Sequence, residues 1–138
     1  MISLFEMVRE YLLDQPTIVG EVVARVWGLT TPSAEVNAMP RKAIRITIDT
    51  EPVQSLPTIR FRANLYCYGA NIVEAEALSG VVYDAIKRSG SIGVALHDDT
   101  YCLYLCHCVR PTSLLYEALS EWPRADSTWL IEAEEGGT

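Results

Sequence analysis

The sequence predicts an α+β domain: a mainly antiparallel sheet with two helices packed on one face and a long β-hairpin at about residues 41–68. Three observations carry that expectation. Apolar residues recur at helical spacing in two segments, Leu4, Met7, Val8, Tyr11, Leu12 and Ala75, Leu78, Val82, Ala85, Ile86. Between them, residues 59–68 alternate strictly, with Ile59, Phe61, Ala63, Leu65 and Cys67 on one side and Arg60, Arg62, Asn64, Tyr66 and Tyr68 on the other. The 138 residues are 49% apolar, enough for one domain to bury roughly two-thirds of the surface its unfolded chain exposes. That composition excludes disorder. No repeat, linker or low-complexity stretch divides the chain, so residues 1–138 read as one domain with a frayed acidic tail at 133–138.

The first helix has a legible start, because Ser3 followed by Glu6 forms a capping box that satisfies first-turn amides. Pro16 stops it by pushing residue 15 out of the α region. After Gly20, the β-branched run Val22–Trp27 reads as a strand, and residues 28–40 as a long loop ending in Met39-Pro40. From Arg41 the period becomes two. Ile44, Ile46 and Ile48 share one face, and Arg45, Thr47 and Asp49 the other. Residues 50–57 contain two prolines that cannot donate to a ladder, so they connect this strand to the alternating run at 58–68 as a hairpin.

Gly69-Ala70 turns the chain into the second helix. Asn71 is its N-cap, and Glu74 at the third helical position completes a variant capping box. Lys87 and Arg88 suit the negative end of the helix dipole, and Gly90 supplies the left-handed cap. Ile92–Leu96, a turn at Asp98-Asp99-Thr100 and Tyr101–Val109 then read as a second hairpin. Residues 111–127 read as an irregular excursion, and Trp129–Ala133 as a closing strand.

Charge and cysteine content narrow the function classes. Eighteen acids against eleven bases give a net charge of −7, which argues against a broad phosphate-neutralising surface. The imbalance lies entirely in residues 71–138, with eleven acids and four bases, whereas residues 1–70 hold seven of each. Glu6, Arg9 and Glu10 interrupt the apolar N-terminus before a signal-peptide core could form, and no apolar run approaches the about 20 residues of a membrane helix. The four cysteines then read as free thiols in a reducing cytoplasm.

Site chemistry is sparse. Cys102, Cys106 and Cys108 flank His107, but in a strand residues i and i+2 lie about 6.6–7 Å apart. Sulfurs on one tetrahedral zinc must approach within about 4 Å, so no metal site is expected, and the three cysteines should share a face as small apolar residues. His97 reads as a hairpin-end residue. No nucleophile elbow, phosphate loop, dinucleotide fingerprint or His-Glu-x-x-His occurs, so the expectation is no catalytic residue, no cofactor and no enzyme. Arg60, Arg62, Tyr66 and Tyr68 on one face look like a charge-plus-stacking surface for single-stranded nucleic acid or another ligand. They equally suit an exposed or inter-subunit sheet face.

The order of elements resembles the small tail terminator, or tail completion, proteins of long-tailed bacteriophages. The resemblance runs over nearly the whole chain. It rests on the helix ending near Leu12-Leu-Asp-Gln-Pro16 followed by Ala24-Arg-Val-Trp27, and on Met39-Pro-Arg-Lys-Ala43 before an apolar strand. It continues with Arg60–Tyr68 passing through Gly69 into Glu74-Ala-Glu-Ala-Leu78 and Val82–Ile86, and with Ser113-Leu-Leu leading to Trp122-Pro-Arg124 and Ser127–Ile131. The cysteine-rich strand and the acidic tail depart from it.

The resemblance implies a structural virion protein at the head–tail junction, assembled in the host cytoplasm. It implies a ring of six copies that caps the tail tube, stops its polymerisation and meets the head-completion or stopper connector. DNA passes through the lumen without specific binding, and no membrane is involved. Loop residues Glu51, Val53, Gln54 and Leu56 and the face residues Arg60, Arg62, Tyr66 and Tyr68 become candidate ring contacts. Asp98, Asp99, Glu132 and Glu134 become candidate lumen residues, where acids would repel phosphate. The alternatives are another neck component (a head-closure or head–tail joining protein) and a monomeric nucleic-acid or ligand-binding module using the Arg/Tyr face.

Overall fold

A three-turn helix cannot stand alone in water, so the apolar stripe of the first segment must find a surface to cover. The computed structural model describes residues 4–28, 38–50, 58–89, 94–96, 101–116 and 122–135, with side chains at 4–28, 38–49, 60–88 and 122–133. In it α1 spans Leu4–Leu13 and buries Met7, Val8, Tyr11 and Leu12, the stripe the spacing predicts. Ser3 lies outside the described residues.

The next segment corrects the expectation. Pro16 opens a second helix, α2 (Pro16–Val22), rather than only closing the first, and strand β1 is confined to Val26–Trp27. Proline suits the first helical position because its fixed φ is already helical and its missing N–H would have no helical partner. Ile18 and Val22, one turn apart, are both buried, so Val22, read as the start of a strand, instead closes a helix. The fold therefore has three helices among the described residues, not two.

Between α2 and β1 the chain reverses over Val22–Arg25, where the Arg25 N–H donates to the Val22 carbonyl at 2.9 Å. Val23 has φ 58° and ψ −102°, the first central position of a type II′ turn, where glycine normally sits. A β-branched residue there is strained, and Val23 is 62% exposed, so it offers little packing in return. Val23→Gly is expected to raise stability by about 1 kcal/mol, the relieved strain exceeding glycine's extra chain entropy. An unchanged or lowered denaturation midpoint would refute this.

The long hairpin forms as expected. β2 (Ala43–Thr50) and β3 (Thr58–Tyr68) pair antiparallel, from Ala43 opposite Tyr68 to Thr50 opposite Phe61. Residues 51–57 lie outside the described residues. Helix α3 (Ile72–Ser89) follows, buries Ala75, Leu78, Val82, Ala85 and Ile86, and is capped as read. The Glu74 N–H donates to Asn71 Oδ1 at 2.9 Å, while Glu74 Oε1 accepts from the Ala70 N–H at 3.3 Å. Gly90 lies outside the described residues.

The second hairpin is present as β4 (Val94–Leu96) paired with β5 (Tyr101–Tyr116); its turn, with Asp98 and Asp99, is not among the described residues. Beyond it the expectation needs two corrections. β5 continues to Tyr116 and β6 begins at Pro123, so most of residues 111–127 is strand rather than irregular excursion. Pro111 is accommodated where the β5–β6 register shifts between Arg110 and Ser113, since a bulge tolerates a missing N–H. β6 runs to Glu135, so residues 133–135 belong to the sheet and not to a tail.

A further shift between Tyr104 and His107 changes the parity of β5. Cys102 pairs with Glu134 but Cys108 with Trp129, positions of opposite parity on β6, so simple alternation no longer places the three cysteines on one face.

Among the described residues six strands lie in the order β1-β2-β3-β6-β5-β4. The sheet is mixed, not wholly antiparallel: β1 runs parallel to β2, and every other neighbouring pair is antiparallel. Helix residues and the inward sheet residues Ile44, Ile46, Phe61, Ala63, Leu65, Cys67, Trp129 and Ile131 form one core, so all three helices cover the same face. β1 flanks only the start of β2, beside Ile44 and Arg45, and β4 flanks only Tyr101–Leu103 of β5.

Candidate functional site

The face away from the helices is built from alternate residues of three adjacent strands. Cross-strand register sets the rows: Ala43, Tyr68 and Arg124; Arg45, Tyr66 and Asp126; Thr47, Asn64 and Thr128; Asp49, Arg62 and Leu130; then Arg60 and Glu132. Residues opposite one another on one face lie about 4.5–5.5 Å apart at Cβ, close enough for each row to interact.

They do so as a continuous polar pavement. Asn64 is the hub: its Nδ2 donates to Thr47 Oγ1 at 3.0 Å and to Asp49 Oδ2 at 3.1 Å, and its Oδ1 accepts from Thr128 Oγ1 at 2.9 Å. Thr47 Oγ1 also lies 3.3 Å from the Tyr66 hydroxyl. The Arg45 guanidinium carbon is 5.3 Å from the Tyr66 ring centre and 5.8 Å from that of Tyr68, and Arg124 is 4.8 Å from Tyr66. Such contacts attract a cation to the negative ring face. Arg124 Nε in turn donates to the nearly buried Asp126 carboxylate at 3.1 Å.

One end of the pavement is apolar. Tyr68 is fully buried with Trp27 and Ala43, flanked by Met39, Tyr66 and Trp122; the Tyr68 and Trp122 rings meet edge to face at 5.9 Å. This corrects the reading of Tyr68 as an exposed contact residue: aromatic partners on the same face remove it from solvent. Tyr66 is half-buried beneath two arginines. The stacking reading for nucleic acid therefore loses Tyr68, which has no surface to offer a base.

Arg60 and Arg62 are exposed as expected. Arg60 Nη2 lies 3.6 Å from Glu132 Oε2, and the Glu132 side chain is 17% exposed. A candidate contact residue and a candidate lumen residue thus share one face as an ion pair. Glu134 is placed on β6 opposite Thr58 and Cys102; Glu51, Val53, Gln54, Leu56, Asp98 and Asp99 fall outside the described residues.

The sequence placed Arg45 on the polar face of its strand without marking it as a contact residue, and Arg124, Asp126 and Thr128 were missed as members of this surface. The signal was there: Arg124, Asp126 and Thr128 alternate with Ala125, Ser127 and Trp129, a period-two pattern in the stretch read as irregular.

Among the described residues, the side of the sheet beneath the helices holds no comparable polar array. Cys67 is buried beneath the helices, and burial, helped by the Asp126 charge, pushes its thiol up to about 12. It stays protonated and unreactive at neutral pH. Lys42 and Glu21 form an ion pair at 2.5 Å, and that hydrogen bond raises the lysine above its ordinary value. A groove of about 450 Å³ between α2 and α3 is lined by Thr17, Val81, Asp84, Lys87 and Arg88. Among the described residues no group of three His, Cys, Asp or Glu side chains is placed to hold a metal, and no helix is long and apolar enough to cross a membrane. No protein-family model and no curated protein matches the chain.

Proposed function

We propose that this chain is a structural assembly protein of the tail terminator type: copies form a ring that caps a phage tail tube, stops its growth and joins it to the head connector, with DNA passing through the lumen. The observation that best supports this reading is the order of elements. The N-terminal helix, the short strand ending in Trp27, the long β2–β3 hairpin, the Gly69 turn into α3 and the returning strands come in the order on which the resemblance rests, with α2 as an added element between α1 and β1. The pavement supports it in kind. Hydrogen bonds and ring contacts hold its side chains before any partner arrives, so docking costs little side-chain entropy. Protein interfaces also favour arginine and tyrosine at their centres.

The same face refines the roles. Glu132 is matched by Arg60, so it belongs with the contact surface, and phosphate repulsion in the lumen falls to acids elsewhere in residues 71–138. Native mass spectrometry of the chain, alone at high concentration and mixed with tail-tube protein, tests the reading. A closed species of about 90 kDa, six copies of 15.4 kDa, is expected. Monomers that persist in both conditions overturn it.

A further inference from the structure

The geometry points to how one copy meets the next, an inference that rests on the ring reading: we propose strand addition, with the outer edge of β2 at Ile46–Thr50 taking the outer edge of β5 at Tyr104–Arg110 of a second copy.

Backbone direction along β2 is fixed by one hydrogen bond. The Ile44 N–H donates to the Arg25 carbonyl at 2.9 Å, so it points away from β3. Alternation then turns the N–H and C=O groups of Ile46, Ile48 and Thr50 outward as well, while those of Thr47 and Asp49 pair with β3. β1 stops at Trp27 and reaches no further than Arg45. Among the described residues no strand lies beside Ile46–Thr50. On the far side of the sheet, β4 leaves the outer edge of β5 beyond Leu103 likewise without a neighbouring strand among the described residues. A row of unpaired backbone groups is a template for another strand.

The two open stretches match in height. Through β3, Ile46 lies level with Ser127, Ile48 with Trp129 and Thr50 with Ile131. On β5, Arg110 pairs with Thr128, Cys108 with Trp129, His107 with Leu130 and Tyr104 with Glu132, with register shifts between Tyr104 and His107 and between Cys108 and Arg110, so seven residues of β5 span the five levels of Thr128–Glu132. They also match in direction. β2 and β5 run oppositely within the sheet, so a neighbour in the same orientation brings its β5 antiparallel to β2.

The covered stretches interlock. β1 lies at the level of Ala125 and Asp126, and β4 at the level of Ala133–Glu135. A neighbour's β4 therefore falls beyond Thr50. Its β5 must leave the shared edge at the level of Ser113 and Leu114, where β1 already sits. The register shift between Arg110 and Ser113, with Pro111 inside it, occurs at that height. A bulge re-aims a strand. A foreign peptide would need one open edge; two matched edges on one sheet specify a second copy. Because the edges differ, the contact is head-to-tail rather than two-fold, the kind that makes a ring when the rotation from copy to copy closes.

Residue-resolved hydrogen exchange on the free chain and on the ring assembled with tail-tube protein tests this. The amides of Ile46, Ile48 and Thr50 are expected to slow at least roughly tenfold on assembly, while those of Thr47 and Asp49, bonded to β3 throughout, change by less than about threefold. Ile48→Pro removes an outward N–H without touching the β2–β3 ladder, and is expected to abolish the ring while the free chain keeps its circular dichroism. A ring whose Ile46, Ile48 and Thr50 amides exchange as fast as in the free chain overturns the edge pairing and leaves the ring reading standing. So does a ring formed undiminished by Ile48→Pro. A two-fold dimer that protects the same amides overturns β5 as the occupant, and a permanent monomer overturns the ring reading itself.

Discussion

Gly69→Ala is expected to cost about 3 kcal/mol and lower Tm by roughly 10 °C, because an added methyl group has nowhere to go. A Cβ at position 69 would lie 2.5 Å from the Ala75 nitrogen and 2.8 Å from both the carbonyl carbon and Cβ of Glu74. These atoms cannot yield cheaply. The Ala75 N–H donates to the Asn71 carbonyl at 3.1 Å, the Glu74 N–H to Asn71 Oδ1 at 2.9 Å, and the Glu74 carboxylate holds the Ala70 amide. Making room means displacing the first turn of α3 or breaking its cap, and a lost cap alone costs about 1 kcal/mol. Chemical denaturation of the variant decides the matter; a change below about 0.5 kcal/mol would show that the turn can open without loss.

Tyr68→Ala is expected to lose about 4 kcal/mol, the range for emptying a buried aromatic site, while Arg62→Ala, three rows away, stays within about 0.5 kcal/mol of the parent. Alternation alone puts both residues on the same polar side. The structure separates them by their neighbours: Tyr68 is enclosed by Trp27, Ala43, Met39 and Trp122, and Arg62 is exposed. The two substitutions should therefore fail differently. Tyr68→Ala lowers the unfolding midpoint whether or not copies associate. Arg62→Ala leaves the midpoint in place and weakens association, if the pavement is a contact surface as proposed. Equal midpoints for the two variants would contradict the burial of Tyr68; association unchanged in Arg62→Ala would remove Arg62 from the interface.

What could be read in advance divides along physical lines. α1 and α3 were legible because their buried positions follow a 3.6-residue period without interruption, and because Asn71 and Glu74 mark a start that only a helix uses. The β2–β3 hairpin was legible from its period of two. α2 was hidden because Ile18, Val19, Val22 and Val23 have strand propensity, and the tertiary burial of Ile18 and Val22 overrode it. The beginning of β6 was hidden by Pro123 and the Ser/Asp content of residues 123–128, which signal turns when isolated. Within the sheet the same polar residues meet partners: Asp126 meets Arg124, and Thr128 meets Asn64. Half of the pavement was seen, since Arg60, Arg62 and Tyr66 lie on it. Arg45, with Thr47 and Asp49, was read on the polar face of its strand; the rest comes from β6, whose alternation at Arg124, Asp126 and Thr128 does not say which strand it lies beside.

The position of β6 has a bearing on how the molecule is made. It lies between β3 and β5, so the latest strand in the chain order fills a central slot of the sheet. While a ribosome is still producing residues 69–122, β3 has an open flank, and Phe61, Ala63 and Leu65 lack Trp129 and Ile131 beside them. A nascent chain can form its helices and the β2–β3 hairpin early, but it cannot close its core. The cooperative step waits for β6 to leave the exit tunnel, and contacts between residues more than 50 apart in sequence, such as Asn64 with Thr128, are then made together.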